Sequence, residues 1–159
     1  MPVRRLLLVL LLLLVGLLVA PAPASAGPRT DAEFVRRINA SRTARGLPPL
    51  RVSARLTSLA RSHAHAMAVN NCRAPRGCLW HTNISRSVDR WTWLGQNVGY
   101  GRFDGDWRNW VLRLHRAFLA SPPHRANILY RRANRVGVGT VWYRGRLWVA
   151  VNFMQTAPG

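Results

Sequence analysis

The sequence predicts an α+β domain in which helices pack on a small antiparallel sheet. Three observations carry this. Three segments between Thr30 and Ala120 space their apolar residues at helical intervals. Ser121-Pro122-Pro123 marks the start of a further, short helix. The stretch from Val136 to Phe153 alternates about a single Arg144-Gly145 turn, as a β-hairpin does. At 159 residues the chain has the length of one domain.

The elements follow in order. Thr30-Asp31-Ala32-Glu33 reads as a capping box that opens the first helix. Phe34, Ile38 and Ala44 fall near one face, and Gly46 stops it. Leu47-Pro48-Pro49-Leu50 is extended. Ser53 caps a second helix with Leu56, Leu59, Ala60, His63 and Met67 as its stripe, ended by Asn70-Asn71. Cys72 to Leu94 is irregular, with a short helix around Ser85 to Arg90. Trp91 to Tyr100 is a short extended piece punctuated, with its flank, by Gly95, Gly99 and Gly101. Asp104 or Asp106 caps a third helix with the stripe Trp107, Trp110, Val111, Leu114 and Phe118. The short helix from Ser121 runs to about Leu129. Val136, Val138, Thr140 and Trp142 alternate into the turn, and Leu147, Val149, Val151 and Phe153 alternate back.

Residues 1–26 have the three parts of a secretory signal. Arg4 and Arg5 start it, Leu6 to Val19 is apolar apart from Gly16, and Ala24-Ser25-Ala26 is the cleavage site. The apolar run of 14 is short of the roughly 20 residues a membrane span needs, so a retained anchor is the weaker alternative. Arg4-Arg5 also hints at twin-arginine export, but the rest of that signal is weak. No Cys follows the cleavage site, which argues against a lipoprotein. The mature domain is then residues 27–159, with no stable membrane span.

The formal net charge is +19, or +17 without the leader. Every basic residue is Arg, and one acidic residue, Glu33, is Glu. A GC-rich genome explains the missing Lys, so part of the charge is codon bias. The Arg residues spread over most elements, with Arg131-Arg132 and Arg135 as the densest run. A specific nucleic-acid site needs a basic stripe interleaved with exposed aromatics, and none is evident. Wall polymers and anionic lipid head groups are the polyanions left for an exported protein, bound generically and weakened by salt. Outside the cell Cys72 and Cys78 close a short disulfide loop worth about 2–3 kcal/mol. Pro75 and Gly77 let the loop turn back, and two free thiols are the alternative.

A set of short pieces, in order, is specific. They are Phe34…Ile38-Asn39…Arg42…Arg45-Gly46-Leu47-Pro48-Pro49-Leu50, then Ala60…His63-Ala64…Met67-Ala68, then His81. Gly95-Gln96-Asn97-Val98 follows, then the run Phe118 to Leu129, then Val136-Gly137-Val138-Gly139 and Phe153. On these residues the chain resembles the CAP superfamily, or SCP domain: cysteine-rich secretory proteins, antigen 5 and pathogenesis-related class 1 proteins. It looks most like the secreted bacterial branch. The resemblance spans Asp31 to Gln155 and implies a three-layer α-β-α sandwich. It also implies a central cleft that in relatives holds two His and two acidic residues, in some members with zinc or another divalent metal. His81 matches the first His, and His124 matches the Ser-x-x-His histidine. Gln96 stands where relatives have the Glu of a Gly-Glu-Asn motif, and Ser121 lies in the region of the second acidic position.

Two neutral imidazoles on one cleft, His81 and His124, are a partial zinc site. Gln96 would add only a neutral amide oxygen, and Gln has no titratable proton with which to act as a general base. Ser121 beside His124 invites a nucleophile reading, but Ser before Pro-Pro-His is first of all a helix cap, and no third group is assigned to orient the His. Asn97 and Gly95 fix a buried turn rather than touch a ligand. His63 is a hydrogen-bonded core residue, His65 and His115 match no site, and Trp80, Trp91 and Trp93 flank His81, with a place for one or two of them in the cleft as the weaker alternative. Three functions compete. One is a secreted, non-catalytic CAP domain that binds a lipid, a cell-wall component or a partner protein. The second is a zinc-dependent or His-assisted hydrolase, and the third is an extracellular polyanion binder. The first is preferred, with His81, Gln96, Asn97, Ser121 and His124 as its cleft.

Overall fold

The structure, a computed structural model, describes residues 27–73, 77–102 and 106–158. The leader, Pro75 and Asp104 lie outside these residues. The elements are α1 (Gly27–Thr43), β1 (Arg51–Val52), α2 (Ala54–Asn70), a 3₁₀ turn (Ser85–Ser87), β2 (Trp91–Arg102), α3 (Trp107–Ala120), α4 (Pro122–Leu129), β3 (Arg135–Tyr143) and β4 (Arg146–Thr156). The strands form one sheet in the order β1-β3-β4-β2. It is antiparallel except that β1 runs parallel to β3 through Arg51–Arg135 and Val52–Val136. The hairpin turn forms as expected: Arg144 and Gly145 both take positive φ, 47° and 67°, the type I′ requirement.

The period-2 alternation of β3 and β4 gives the sheet two apolar faces, and each is covered. On one face Val136, Val138, Leu147, Val149, Val151 and Phe153 bury against Phe34 and Ile38 of α1, Val111, Leu114 and Phe118 of α3, and Ile128 of α4. On the other, Val98, Val141, Trp148 and Ala150 bury against Ala60, Ala64, Met67 and Ala68 of α2. The result is the three-layer sandwich. Among the described residues no helix is long and apolar enough to cross a membrane.

The α2 layer sits close to the sheet because both surfaces are small. Alanines recur every four residues on the helix, and the facing positions of β3 are Gly137 and Gly139. A Cβ on Gly139 would lie 2.1 Å from the Arg61 backbone nitrogen, and one on Gly137 2.2 Å from the Leu56 carbonyl carbon. Both obstacles are backbone, which cannot rotate away. Gly139→Ala is therefore expected to lift α2 and cost about 3 kcal/mol, at the upper end for overpacking. Urea denaturation measures it, and a loss within error of zero would mean the helix rides higher than described.

Local expectations are corrected in four places. The first helix is already running at Gly27, so Thr30 and Glu33 form no capping box. Glu33 instead pairs with Arg36 and Arg37 at 2.6 and 2.8 Å, and Ala44 falls past the helix end and is exposed. The glycines between Trp91 and Arg102 do not punctuate the chain but lie inside a 12-residue strand. They are small so that Trp93, Phe118 and Trp110 can pack over Gly95, Gly99 and Gly101. The helix near Ser85 shrinks to three residues. Finally, β1 follows the extended Leu47–Leu50 segment and adds the parallel pair.

Asp31, expected within a cap, is buried instead. Its carboxylate accepts from Thr140 Oγ1 at 2.7 Å on β3 and from Arg61 Nε at 2.7 Å on α2. The ion pair reaches past the part of β3 that β1 leaves uncovered and ties α1 to α2. Burial raises the Asp31 pKa despite the help of Thr140 and Arg61.

Candidate functional site

The cleft is built on the middle of β2. Successive residues of a strand face opposite ways, so Gln96 and Asn97 serve different layers. Gln96 reaches the irregular segment after the disulfide. Its Oε1 accepts from the Thr82 backbone N–H at 3.0 Å and lies 3.1 Å from His81 Nδ1. Its Nε2 donates to Thr82 Oγ1 at 3.0 Å and to Asn152 Oδ1 at 2.9 Å. Asn152 Nδ2 in turn donates to the Leu56 carbonyl at 3.2 Å. This chain of partners fixes both amides: a carbonyl at Leu56 and an N–H at Thr82 leave one consistent orientation. With an amide oxygen facing it, His81 holds its proton on Nδ1 and keeps the Nε2 lone pair free.

Asn97 is fully buried. Its Nδ2 donates to the His124 carbonyl at 3.0 Å, and its Oδ1 accepts from Asn127 Nδ2 at 2.8 Å. The same Asn127 nitrogen reaches the Gln96 carbonyl at 3.2 Å. Asn97 therefore clips α4 to β2 and sets where His124 stands. It acts from a strand rather than from a turn, and the side chain touches protein on both sides.

His124 is half-buried, with its ring 5.1 Å from that of Phe118. Its pKa is lowered, chiefly by burial and secondarily by the charge of His81. The two cleft histidines are thus within electrostatic reach of each other. Ser121 makes no hydrogen bond from its Oγ to either histidine among the described residues. It stands between α3 and α4 as the N-cap residue of α4, but its side chain makes no capping bond. Pro123 at the second helical position has no N–H to offer, and Ser121 Oγ does not take up that of His124 at the third. The Ser121 carbonyl accepts from Arg125 N at 2.8 Å instead. No hydrogen bond joins Ser121 Oγ to His124 among the described residues, so the nucleophile reading loses its geometry.

The residues fit a metal poorly. Among the described residues no group of three His, Cys, Asp or Glu could hold one. The Gln96 oxygen is already engaged by Thr82 and His81. Asp106 caps α3 by accepting from Arg108 N at 2.9 Å, and Asp31 and Glu33 are held by arginines. His81 Nε2 and the His124 ring remain as two neutral nitrogen donors, one short of the three protein ligands of a catalytic zinc site.

Two recesses flank the Thr82–Ile84 segment. The smaller, about 220 Å³, is lined by His81, Thr82, Ile84, Leu94, Gly95 and Gln96, with Asn83 at its edge. The larger, about 710 Å³, runs between α2 and the segment from Trp80 to Ser87. Leu59, Ala66, Val69, Trp80 and Ile84 give it apolar walls, and Asn70 and Arg73 lie along its lining. The sequence alone does not reveal this groove, because its walls are apolar residues of α2 that read equally well as core. His63, expected in the core, is buried, and its Nε2 lies 2.7 Å from the Trp80 carbonyl. It also contributes to the groove wall, and burial lowers its pKa. None of the three tryptophans lines the His81 recess. Trp80 faces the larger groove, Trp93 stacks on Tyr130 with ring centroids 4.1 Å apart, and Trp91 is exposed. Cys72 and Cys78 are joined in a disulfide, as expected.

Comparisons with known proteins agree with this architecture. An outer surface protein of Borrelia burgdorferi superposes with a TM-score of 0.68 at 15% identity, over 84% of this chain and 98% of that one. An extracellular protein containing an SCP domain from Bacillus anthracis gives 0.60 at 22% identity, over 80% of this chain and 40% of that one. A cysteine-rich secretory protein from Staphylococcus aureus gives 0.60 at 18% identity, over 84% and 40%. The chain thus spans about two-fifths of the length of the latter two. A search of curated proteins found no significant match. The family model of the cysteine-rich secretory proteins matches residues 35–153, most of the chain. On that match, and in keeping with its three-layer sandwich, the chain belongs to the cysteine-rich secretory protein (CAP) family.

Proposed function

We propose that the chain is an exported, non-catalytic binding module of the secreted bacterial branch, with its ligand seated at His81 and in the groove beside it. One observation carries this: the residue at the position of the family's acid, Gln96, has its amide oxygen and nitrogen bonded to protein. The cleft then holds imidazoles and amides and no carboxylate among the described residues. His81 Nε2 offers one acceptor beside Ile84 and Leu94, which suits a ligand with a donor group on an apolar body. A lipid, a cell-wall component or a segment of a partner protein has that chemistry. The leader pattern, the disulfide and the extracellular and outer-surface proteins among the structural neighbours support export.

Mass spectrometry of ligands co-purified with the natively secreted protein tests the reading. A ligand present on the parent and lost from His81→Ala supports it. Isothermal titration tests the zinc-dependent alternative. A one-to-one zinc site in the parent that disappears in the His81→Ala, His124→Ala double variant would overturn the present reading.

Gln96→Glu is expected to separate the two roles of that position. The new carboxylate would face Asn152 Oδ1 with no N–H to give, and Asn152 cannot turn while it serves Leu56, although the Thr82 hydroxyl can rotate to donate. Stability should fall by about 2 kcal/mol at neutral pH. Zinc should restore part of it if the carboxylate completes a site with His81 and His124. A variant as stable as the parent would mean that Gln96 is not locked as described.

A further inference from the structure

The end of the sandwich at the β3–β4 turn carries cations on aromatic rings. Strand register sets Tyr143 opposite Arg146, and Arg146 opposite Arg102. The three form one row about 10 Å wide across the ends of three strands. Arg144 sits in the turn beside them. The Arg146 guanidinium lies 5.3 Å over the Tyr100 ring and that of Arg144 5.3 Å over Tyr143. On the other face of the sheet, Arg108 lies 4.6 Å over Trp107 and Arg113 6.0 Å over Trp110. Trp110 belongs to this end, because its ring occupies the space that a Cβ on Gly101 would need. Arg102, Arg108, Arg113 and Arg144 are exposed, whereas Arg146, the tyrosines and these two tryptophans are half-buried. The acid described here is Asp106, and its carboxylate is engaged on the Arg108 N–H.

This arrangement has a chemical meaning beyond net charge. A ring beneath a guanidinium covers one flat side and holds the group in place; Arg146 also donates from Nη1 to Cys72 Sγ at 3.7 Å, and its other N–H groups can meet a phosphate. Half-buried rings with a polar edge are the side chains that settle at the boundary between head groups and acyl chains. Strand ends, a hairpin turn and the first turn of α3 make the surface, whereas the ligand recesses lie along α2 and β2.

We infer that this end docks on an anionic lipid bilayer. Phosphate diesters meet Arg102, Arg144 and Arg146, and the rings of Tyr143 and Trp107 lie at head-group depth. The inference is independent of the reading of the cleft.

The opposite end of β3 supplies the control. Arg51, Arg131 and Arg132 are exposed there, about 27 Å away along a nine-residue strand. The experiment is co-sedimentation of the mature chain with vesicles of mixed phosphatidylcholine and phosphatidylglycerol, against phosphatidylcholine alone. The parent is expected to bind the mixed vesicles and not the zwitterionic ones. The triple variant Arg102→Gln, Arg144→Gln, Arg146→Gln should bind roughly a hundredfold more weakly, the effect of three basic side chains leaving an anionic surface. The equal-charge variant Arg51→Gln, Arg131→Gln, Arg132→Gln should stay near the parent, and brominated acyl chains should quench tryptophan fluorescence in the parent. Urea unfolding of both triples confirms that they fold. Equal losses in the two triples would reduce the effect to net charge and overturn the inference, as would no binding by the parent. So would binding to soluble polyphosphate with the same dependence on the three arginines and no bromolipid quenching, which would make this a site for soluble polyanions.

Discussion

Arg42→Met is expected to destabilise the protein by about 3–4 kcal/mol, among the largest effects of any single substitution in the chain. The Arg42 side chain is fully buried, and among the described residues no carboxylate pairs with it. It is held by backbone carbonyls: Nε donates to Pro48 at 2.9 Å, Nη1 to Ile128 at 2.8 Å and Tyr130 at 2.9 Å, and Nη2 to Ala133 at 3.3 Å. Burial alone lowers its pKa, yet a guanidinium stays charged. Ile128 and Tyr130 lie at the C-terminal end of α4, where helix carbonyls lack intrahelical partners and the dipole is negative. One planar cation thus closes the Pro48–Pro49 segment, the end of α4 and the entry to β3. Met fills much of the volume but takes a donor from all four carbonyls; that of Tyr130 keeps the Ala133 N–H at 3.2 Å and that of Pro48 belongs to an exposed residue, so the cost falls chiefly on Ile128 and Ala133. Arg42→Lys should recover only part of the loss, because one ammonium cannot span four carbonyls. Urea denaturation of the three proteins checks the order parent, Lys, Met. If Met matched the parent, water would be satisfying those carbonyls. Because α4 carries His124, the Met variant should also weaken whatever the cleft binds.

That residue shows where the sequence is legible and where it is not. Alternation and turn chemistry place β3, β4 and their hairpin, because both signals are local. The stripe Val111, Leu114 and Phe118 places the buried face of α3 for the same reason. Local patterns mislead where a side chain is claimed by something distant. Thr30-Asp31-Ala32-Glu33 has the spacing of a cap, but Asp31 is taken by Arg61 and Thr140, and the helix starts earlier. The glycines of β2 and β3 look like breaks, whereas they are contact points for rings on one face and for the α2 backbone on the other. At the site, family resemblance brings His81 and His124 together and flags Gln96, and the structure supplies the reason Gln is accommodated there. That reason is Asn152, 56 residues away, which no local pattern connects to it. Ser121 has the sequence context of a side-chain cap, yet its Oγ makes no capping bond.

The second large effect is acid sensitivity, and His115 should dominate it. His115 lies on α3, facing α1, and is 4% exposed. Its Nε2 is 2.8 Å from Ser41 Oγ, and its Nδ1 is buried with no partner. Burial first, and the charge of Arg37 second, lower its pKa to about 4 from an unfolded value of 6.5. The native state therefore binds fewer protons than the unfolded chain between these values. Stability contributed by neutral His115 is complete above pH 6.5 and is lost as pH falls toward 4. The loss should total about 3 kcal/mol, since a tenfold weaker hold on a proton corresponds to roughly 1.4 kcal/mol. Physically, a proton on Nδ1 would add an N–H without an acceptor and a second cation beside Arg37, inside a helix–helix contact. Burial also lowers the pKa of His63 and His124, so they add to the same slope. Asp31 opposes it: its raised pKa makes the native state take up a proton before the unfolded chain does, which favours folding as pH drops. Urea midpoints for the parent and for His115→Phe, taken at pH 7.5 and pH 4.5, test the assignment. The parent should lose about 2–3 kcal/mol over that interval, and the variant should lose much less, because Phe keeps the ring and removes the proton site. Parallel losses in the two proteins would show that the acid transition belongs to other groups. Asp31→Asn should act in the other direction and steepen the loss at the acid end. The two substitutions thus separate a buried base that acid disrupts from a buried acid that acid relieves.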